Sequence, residues 1–226
     1  MLVEERRVII AIDGPAGVGK STVAKLLASR LGYLYLDTGA LYRAVAWKAL
    51  REHVKSEDTE QICLLLPTTS IQMQFQDGSM QVLVDGHDIT DELRTPDVTA
   101  LASIVSAIPA VREWLLPIQR QIGQRGSVVA EGRDMGTTVF PSAPVKFFLD
   151  ADATVRADRR HRELVSAGHK GPLEKTYQDL SGRDSRDRNR AVAPLTPAVD
   201  ARHIDSSTLN AQEVVEQMMA AVSAAL

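Results

Sequence analysis

Short apolar runs alternate with segments of helical periodicity along most of the chain. Residues 8–12 form a continuous, mostly β-branched run that ends at a glycine turn, which is typical of a buried parallel strand. From 20 to 31 the apolar side chains recur at helical spacing, and Gly32 supplies a stop signal. Thr38 is predicted to cap a second helix, which runs through Ala49. Further strands are predicted at 33–36, 127–130, 145–149 and 202–205.

This alternation predicts the α/β class, with a parallel sheet covered by helices on both faces. One segment departs from it. In residues 70–84, apolar and polar side chains alternate with a period of two around a turn at 77–79. That pattern predicts a β-hairpin, which does not belong to a parallel sheet.

The hairpin and the helices predicted after Asp97 and Pro109 form an insert that we place at 66–120. Residues 1–65 and 121–226 then make up the core of the protein. With 226 residues, of which 44% are apolar and 24% charged, the chain is long and apolar enough to bury one substantial core.

Charge and cysteine content limit the possible binding partners and the cellular compartment. The formal net charge of -3 supplies no overall basic field for a nucleic acid, so we expect small anionic partners and no nucleic acid. The single cysteine, Cys63, cannot form an internal disulfide, which favours the cytoplasm. No stretch reaches the ~20 apolar residues that a membrane span needs, so we expect no membrane partner.

A phosphate-binding loop follows the first predicted strand. The sequence GPAGVGKS from Gly14 to Ser21 matches G-x-x-x-x-G-K-[ST] and opens the first helix, the context that this motif requires. Lys20 is expected to reach the β and γ phosphates of ATP, and the Ser21 hydroxyl is expected to help hold Mg²⁺. A chance glycine-rich turn is the alternative. The predicted ATP-binding residues are Gly14, Pro15, Ala16, Gly17, Val18, Gly19, Lys20, Ser21 and Thr22.

Two arginines follow the next predicted core strands. Ligands of an open parallel sheet bind beyond the carboxyl ends of its strands, where Arg43 and Arg133 both occur. Their guanidinium groups bind phosphate in a bidentate manner, so the pair predicts a second anionic group and hence a phosphorylated acceptor. Ordinary salt bridges to surface acids are the alternative. A GTPase is disfavoured, because the chain contains no Asn-Lys pair of the guanine-reading element.

Two further basic segments lie in the last third of the chain. In the run 183–190, Arg183, Asp187 and Arg190 fall on one helical face, although a solvated salt-bridged face is equally compatible with such a run. Four arginines at 156, 159, 160 and 162 precede a glycine-containing break at 168–171. They predict a mobile lid at approximately 157–182. The alternative is a helix with a solvent-exposed basic face.

Five segments in the same order resemble bacterial cytidylate kinases along essentially the full length of the chain. They are IDGPAGVGKST, LDTGALYRA, EGRDMGTTVFP, APVKFFLDA and RDSRDRNRAVAPL. The resemblance implies a nucleoside monophosphate kinase fold with a five-stranded parallel sheet, an inserted CMP-binding region and a lid. It also implies Mg²⁺, with ATP as the phosphoryl donor.

The resemblance further implies roles for individual residues. Arg43 and Arg133 would bind the acceptor phosphate, near Thr38. Ser103, Arg112 and Asp134 would contact the cytosine edge, although helix packing also explains Ser103. Arg183 and Asp187 would contact the sugar, and Arg190 would lie near the acceptor. The predicted catalytic residues are Lys20, Arg43, Arg133 and Arg159, the last on the ATP side.

The expected reaction transfers the γ-phosphoryl group of ATP to CMP or dCMP in a monomeric enzyme. Ala16 stands where some relatives have serine, so the contact of a serine hydroxyl with the acceptor phosphate is not expected here. Glu131 stands where some relatives have aspartate, which keeps the carboxylate. The alternatives are a P-loop kinase acting on UMP, AMP or an acceptor such as shikimate, and a nucleotide-dependent switch or binding module.

Overall fold

The structure, a computed structural model, describes residues 8–76, 79–124 and 126–225. Residues 77 and 78 of the predicted hairpin turn lie outside the described residues. The strands are β1 (Ile9–Asp13), β2 (Leu34–Asp37), β3 (Ile71–Gln76), β4 (Ser79–Val84), β5 (His87–Asp88), β6 (Val128–Gly132), β7 (Val145–Asp150) and β8 (Arg202–Asp205). The helices are α1 (Lys20–Leu31), α2 (Thr38–Arg51), α3 (Thr59–Leu65), α4 (Pro96–Val105), α5 (Pro109–Gly123), α6 (Ala153–Ser166), α7 (Leu173–Asn189) and α8 (Ala211–Ala225).

Five strands form a parallel sheet in the order β2-β6-β1-β7-β8, which confirms the predicted α/β class. β1 lies at the centre, between β6 and β7. Because all the strands run in the same direction, their carboxyl ends meet at one edge of the sheet. The register there sets Asp37 opposite Glu131 and Asp13 opposite Gly132, which gathers polar residues from three strands.

Helices cover both faces of this sheet. Side chains of α1 and α8 pack with Ile10, Ile12 and Leu149 on one face. On the other face, side chains of α2, α4 and α5 pack with Ala11 and Leu36. The central strand therefore contributes alternate residues to two separate cores, which explains why its run is apolar throughout.

The predicted hairpin is confirmed as part of a separate antiparallel sheet, in the order β3-β4-β5. The two-residue strand β5 was not predicted from the sequence, since so short a strand has no periodicity. α4 and α5 begin with Pro96 and Pro109, as their fixed φ favours. Among the described residues no single helix is long and apolar enough to cross a membrane; α4 and α5 satisfy those criteria only together, as a pair bent by 101°.

The start of α2 differs from the prediction by one residue. Asp37, with an extended backbone, occupies the N-cap position, and Thr38 is already the first helical residue. The Thr38 hydroxyl instead donates a hydrogen bond to the carbonyl oxygen of Glu131 at 2.7 Å. The predicted capping role of Thr38 is therefore wrong, because a partner on the neighbouring strand binds the hydroxyl. That bond fastens α2 to the end of β6.

The exit from β1 requires glycine. Gly14 has φ of +150°, and a Cβ atom at this position would lie 2.0 Å from the backbone oxygen of Leu149 on β7. No side-chain rotation relieves a contact between Cβ and a backbone atom. The phosphate-binding loop thus leaves the sheet by passing directly over a neighbouring strand.

Gly14→Ala should lower the free energy of unfolding by roughly 2 kcal/mol or more, because strained backbone alone costs about 1–3 kcal/mol. Thermal unfolding measures the loss. Gly171→Ala is the matched control, since no atom lies within 4 Å of the Cβ position there. Equal melting temperatures for the two variants would contradict the close approach at Gly14.

Candidate active site

A cleft of about 530 Å³ lies over the carboxyl edge of the parallel sheet. Its floor is formed by the phosphate-binding loop and by the ends of β2 and β6. Side chains of α4 and α5 from the insert line one side, and side chains of α6 and α7 line another. The cleft therefore lies where the topology of the sheet predicts a ligand.

The phosphate-binding loop has the geometry that an anion needs. Gly17 and Gly19 both have positive φ, which glycine adopts without steric cost. No described side chain caps the start of α1, so its first backbone N–H groups are available to a phosphate. Lys20 is buried, and its Nζ atom donates to the carbonyl oxygen of Pro15 at 2.6 Å. This bond holds the lysine against the loop.

Positive charge converges on the centre of the cleft. Lys20, Arg43, Arg133, Arg160 and Arg183 all line it. Burial, followed by repulsion from Arg133, lowers the pKa of Arg183 to about 10. The pKa of Lys20 is lowered by the same two causes. For Arg133 burial also opposes the charge, but Asp187 outweighs it and raises the pKa. Lys20 and Arg183 are therefore the cations that nearby acids compensate least, and an anion binding beside them gains both Coulomb energy and hydrogen bonds.

Two of these arginines are held by buried carboxylates. Arg43 Nη2 lies 2.6 Å from Asp37 Oδ2, and Arg133 Nε lies 2.8 Å from Asp187 Oδ2. Although burial opposes it, the neighbouring arginines keep the pKa of each carboxyl below its usual range. Both acids are therefore ionised at neutral pH and fix the direction of their arginines. Arg183, in contrast, makes no hydrogen bond or ion pair within the described part of the chain.

A second polar cluster, formed by Asp134, Arg112 and Arg190, also lines the cleft. Asp134 accepts hydrogen bonds from Arg112 at 2.5 Å and from Arg190 at 3.3 Å, and all three side chains are buried. The Arg112 guanidinium also stacks 5.3 Å from the ring centre of Tyr42. The Nε atoms of Arg43, Arg112 and Arg183 are buried without a hydrogen-bond partner among the described residues. Such donors are typical of a site that binds a polar ligand.

Asp13 fixes the loop that carries Arg133 and Asp134. Its two carboxylate oxygens accept hydrogen bonds from the backbone N–H groups of Met135 and Gly136, each at 2.8 Å. Burial raises the pKa of Asp13 to about 6 despite these two bonds. The structure therefore gives Asp13 a role in organising this loop.

Oxygen ligands suited to Mg²⁺ surround the first turn of α1. Ser21 and Glu131 both line the cleft here, and the Glu131 carboxylate accepts a hydrogen bond from the Tyr35 hydroxyl. Burial and the nearby charge of Asp37 raise the pKa of Glu131, so a cation here relieves the repulsion between the two acids. Hydroxyl and carboxylate oxygens are the ligands that Mg²⁺ prefers, and the donor set fits this ion.

Most of the predicted site residues line this one cleft. The loop contributes Ala16, Gly17, Gly19, Lys20, Ser21 and Thr22, whereas Gly14, Pro15 and Val18 do not line it. The predicted acceptor residues that line it are Thr38, Arg43, Arg112, Arg133, Asp134, Arg183, Asp187 and Arg190.

Outside the phosphate-binding loop, two more of the predicted residues do not line the cleft. The Ser103 hydroxyl accepts hydrogen bonds from Arg186 at 3.1 and 3.2 Å and faces α7. Arg159 donates to the backbone oxygen of Ser206 at 2.6 Å, away from the cluster of cations. In this conformation Arg159 contacts the segment after β8, and the next residue, Arg160, faces the cleft.

Sequence reasoning also missed residues that line the cleft. Arg94 reaches from the insert to Asp37 at 3.5 Å, and Tyr42 lies beneath Arg112. Arg94 ends a three-residue 3-10 helix, which is too short to give a periodic pattern, so no spacing in the sequence marks it. Tyr42 lies in the segment after β2 that contains the predicted site residues Thr38 and Arg43. It is one helical turn beyond Thr38, and this spacing could have identified it as a cleft residue.

Comparison with known proteins gives the family. The sequence model of the family described as "Cytidylate kinase" matches residues 10–224. The chain is 46% identical to a "Cytidylate kinase" of Pelotomaculum thermopropionicum, over 95% of this chain and 96% of the relative. It is also 46% identical to a "Cytidylate kinase" of Klebsiella pneumoniae, over 93% of each chain. The chain belongs to the cytidylate kinase family. The resemblance found in its motifs is thereby confirmed.

One solved structure agrees with this fold. An uncharacterized protein from Eubacterium ventriosum is similar with a TM-score of 0.53 and 14% identity, over 96% of this chain and 99% of that one. At so low an identity the likeness concerns the architecture alone. The function of the protein is therefore argued from its membership of the cytidylate kinase family and from the arrangement of the cleft.

The unpaired cation Arg183 gives a test of this electrostatic arrangement. Arg183→Met should raise the free energy of unfolding by about 1 kcal/mol, or a few degrees in melting temperature, because it removes a half-buried charge that the neighbouring cations repel. The same change should lower phosphoryl transfer at least about tenfold, the loss of one charge contact in the transition state.

Arg202→Met is the matched control for this prediction. It deletes the same charge from an exposed position on β8 and should leave stability and activity nearly unchanged. A clear loss of stability in Arg183→Met would contradict the repulsive cluster.

Proposed function

We propose that this protein transfers the γ-phosphoryl group of ATP to CMP or dCMP, giving ADP and CDP or dCDP. The observation that carries the proposal is that the five cations line the same cleft as the phosphate-binding loop and the cluster of Asp134, Arg112 and Arg190. Cations in one cleft can neutralise the repulsion between a donor phosphate and an acceptor phosphate that approach each other. Membership of the cytidylate kinase family supports the acceptor.

In the proposed reaction an oxygen of the acceptor phosphate attacks the γ-phosphorus of ATP in line with the leaving ADP oxygen. The phosphate-binding loop and Lys20 hold the donor, while Arg43 and Arg133 hold the acceptor phosphate. Arg183 and Arg160 stabilise the charge on the phosphoryl group as it transfers. Ser21 and Glu131 would hold Mg²⁺, which when bound neutralises part of the phosphate charge. No covalent intermediate with the enzyme is required.

Selection of cytosine follows from the second cluster. Cytosine presents an amino donor beside acceptor atoms, so the Asp134 carboxylate accepts from the amino group while Arg112 and Arg190 donate to the acceptors. Uracil presents a carbonyl in place of the amino group, and the buried Asp134 would lose a partner. Ser103 contributes to this edge only after its hydrogen bond with Arg186 breaks.

The surrounding elements take supporting roles in the proposal. Residues 66–120 form the acceptor-binding region, Asp187 contacts the sugar together with Arg183, and residues 157–182 close over the nucleotides as a lid. Arg159 turns towards the ATP base when the lid closes. Because one chain supplies all the residues of the cleft, we propose that the monomer is active.

The decisive experiment is coupled ADP release with Mg-ATP in the presence of CMP, dCMP, UMP, AMP, shikimate or no acceptor. We expect strong stimulation by CMP or dCMP and weak stimulation by the others. Stimulation by another acceptor would assign a different P-loop kinase. Slow hydrolysis that no acceptor stimulates would instead indicate a nucleotide-dependent switch.

Asp134→Ala and Asp134→Asn should reduce kcat/KM for CMP by about a hundredfold or more, because a buried donor and acceptor set is left unpaired. The KM for ATP should change less than about threefold. The Asn variant keeps the side-chain volume and guards against simple misfolding. Asp58→Asn is the control, because asparagine caps α3 as well as aspartate does. Equal losses for ATP and CMP would argue against base recognition by Asp134.

A further inference from the structure

The base of the lid is fastened to the phosphate-binding loop through a buried ion pair that the reaction described above does not use. Arg156, near the start of α6, lies 2.5 Å from Asp184 on α7. Both side chains are buried, and neither lines the cleft over the carboxyl edge of the parallel sheet. We propose that Arg156 and Asp184 are positioning residues for the donor nucleotide, an inference that rests on the proposed function.

The ion pair binds both polar groups of one loop residue. The backbone N–H of Ala16 donates to Asp184 Oδ1 at 3.2 Å, and the backbone oxygen of Ala16 accepts from Arg156 Nη1 at 3.0 Å. Arg156 Nε donates to the carbonyl oxygen of Ala151 at 3.0 Å, which fixes the guanidinium plane. The hydrogen bonds thus determine the orientation of Ala16, and its N–H points to α7 rather than to a phosphate.

Packing reinforces the same contact. Ala16, Ala157 and Leu180 form a small buried apolar cluster, so α6 and α7 both contact the residue whose backbone they bind. A Cβ atom on Gly17 would lie 3.0 Å from the backbone oxygen of Arg156. The loop and the two lid helices therefore approach each other as closely as a glycine allows.

The orientation of Ala16 extends to the catalytic lysine. The preceding residue, Pro15, accepts the hydrogen bond from Lys20 Nζ. Rotation of the peptides around Ala16 would move this acceptor and change the positions of the loop amides that remain for the donor phosphates. Arg156 and Asp184 act on ATP through this backbone and not by contact, which is why we describe them as positioning residues.

An ion pair is not needed here for stability alone. A buried pair replaced by apolar residues of similar volume often leaves stability unchanged or higher, because both charges lose their hydration on burial. An apolar pair would fill the same space but could not bind the N–H and the carbonyl oxygen of Ala16. The choice of residue types thus indicates control of backbone orientation.

The test separates orientation from stability. We would measure the affinity for a fluorescent N-methylanthraniloyl derivative of ATP, the KM values for ATP and CMP, and the melting temperature. Asp184→Asn and Arg156→Lys should each weaken binding of the derivative about tenfold, equivalent to about 1.4 kcal/mol. The KM for CMP should stay within about twofold of the wild-type value, since no acceptor contact is changed.

The double variant Arg156→Met/Asp184→Leu distinguishes a positioning role from a structural one. It should recover most of the wild-type melting temperature while its affinity for the ATP derivative remains low. Recovery of both quantities would overturn the proposal, as would unchanged affinity in the single variants. Met218→Ala is the control, because it weakens the core at α8 and should lower the melting temperature without changing affinity.

Binding of the ATP derivative requires no acceptor, so the two proposals fail separately. If the wild-type protein binds the derivative but no acceptor stimulates ADP release, the kinase assignment is wrong and the affinities of the variants still decide the role of Arg156 and Asp184. If CMP stimulates release but the single variants bind the derivative normally, the kinase assignment stands and the positioning role is wrong.

Discussion

Repulsion between closely spaced, partly buried cations is the constraint on which the rest of the structure depends. Arg133 and Arg183 each bring a full charge to one small volume, next to Lys20, and burial removes much of the water that would screen them. The arrangement costs free energy in the absence of an anion. It persists because rigid elements hold the groups in place, and the same rigidity lets a phosphate collect several charge-assisted hydrogen bonds at once.

The parallel sheet provides that rigidity at its carboxyl edge. Asp13, at the end of the central strand, accepts hydrogen bonds from two backbone amides of the loop after β6. The Thr38 hydroxyl connects α2 to the end of β6. From the opposite side, Arg156 and Asp184 hold the first half of the phosphate-binding loop. Three short polar connections thus set the distances between cations that come from different parts of the chain.

Much of this could be predicted from the sequence, because the relevant rules are local. A motif of eight residues marks the phosphate-binding loop, and the ends of parallel strands converge whatever their order, so Arg43 and Arg133 were placed correctly together. The rotation of α6 about its axis is not local, and it decides that Arg160 faces the cleft whereas Arg159 bonds to Ser206. Ser103 was similarly beyond reach, since its partner Arg186 lies 83 residues away.

The carboxylates that hold Arg43 and Arg133 also bear on how quickly a bound nucleotide leaves. When a phosphate departs, Asp37 and Asp187 are already within 2.6 and 2.8 Å of the two guanidinium groups. Each arginine therefore keeps an anionic partner in a site of low polarity. Under the proposed function these carboxylates would compete with the phosphate, lower the affinity for the product, and so keep tight binding from limiting turnover.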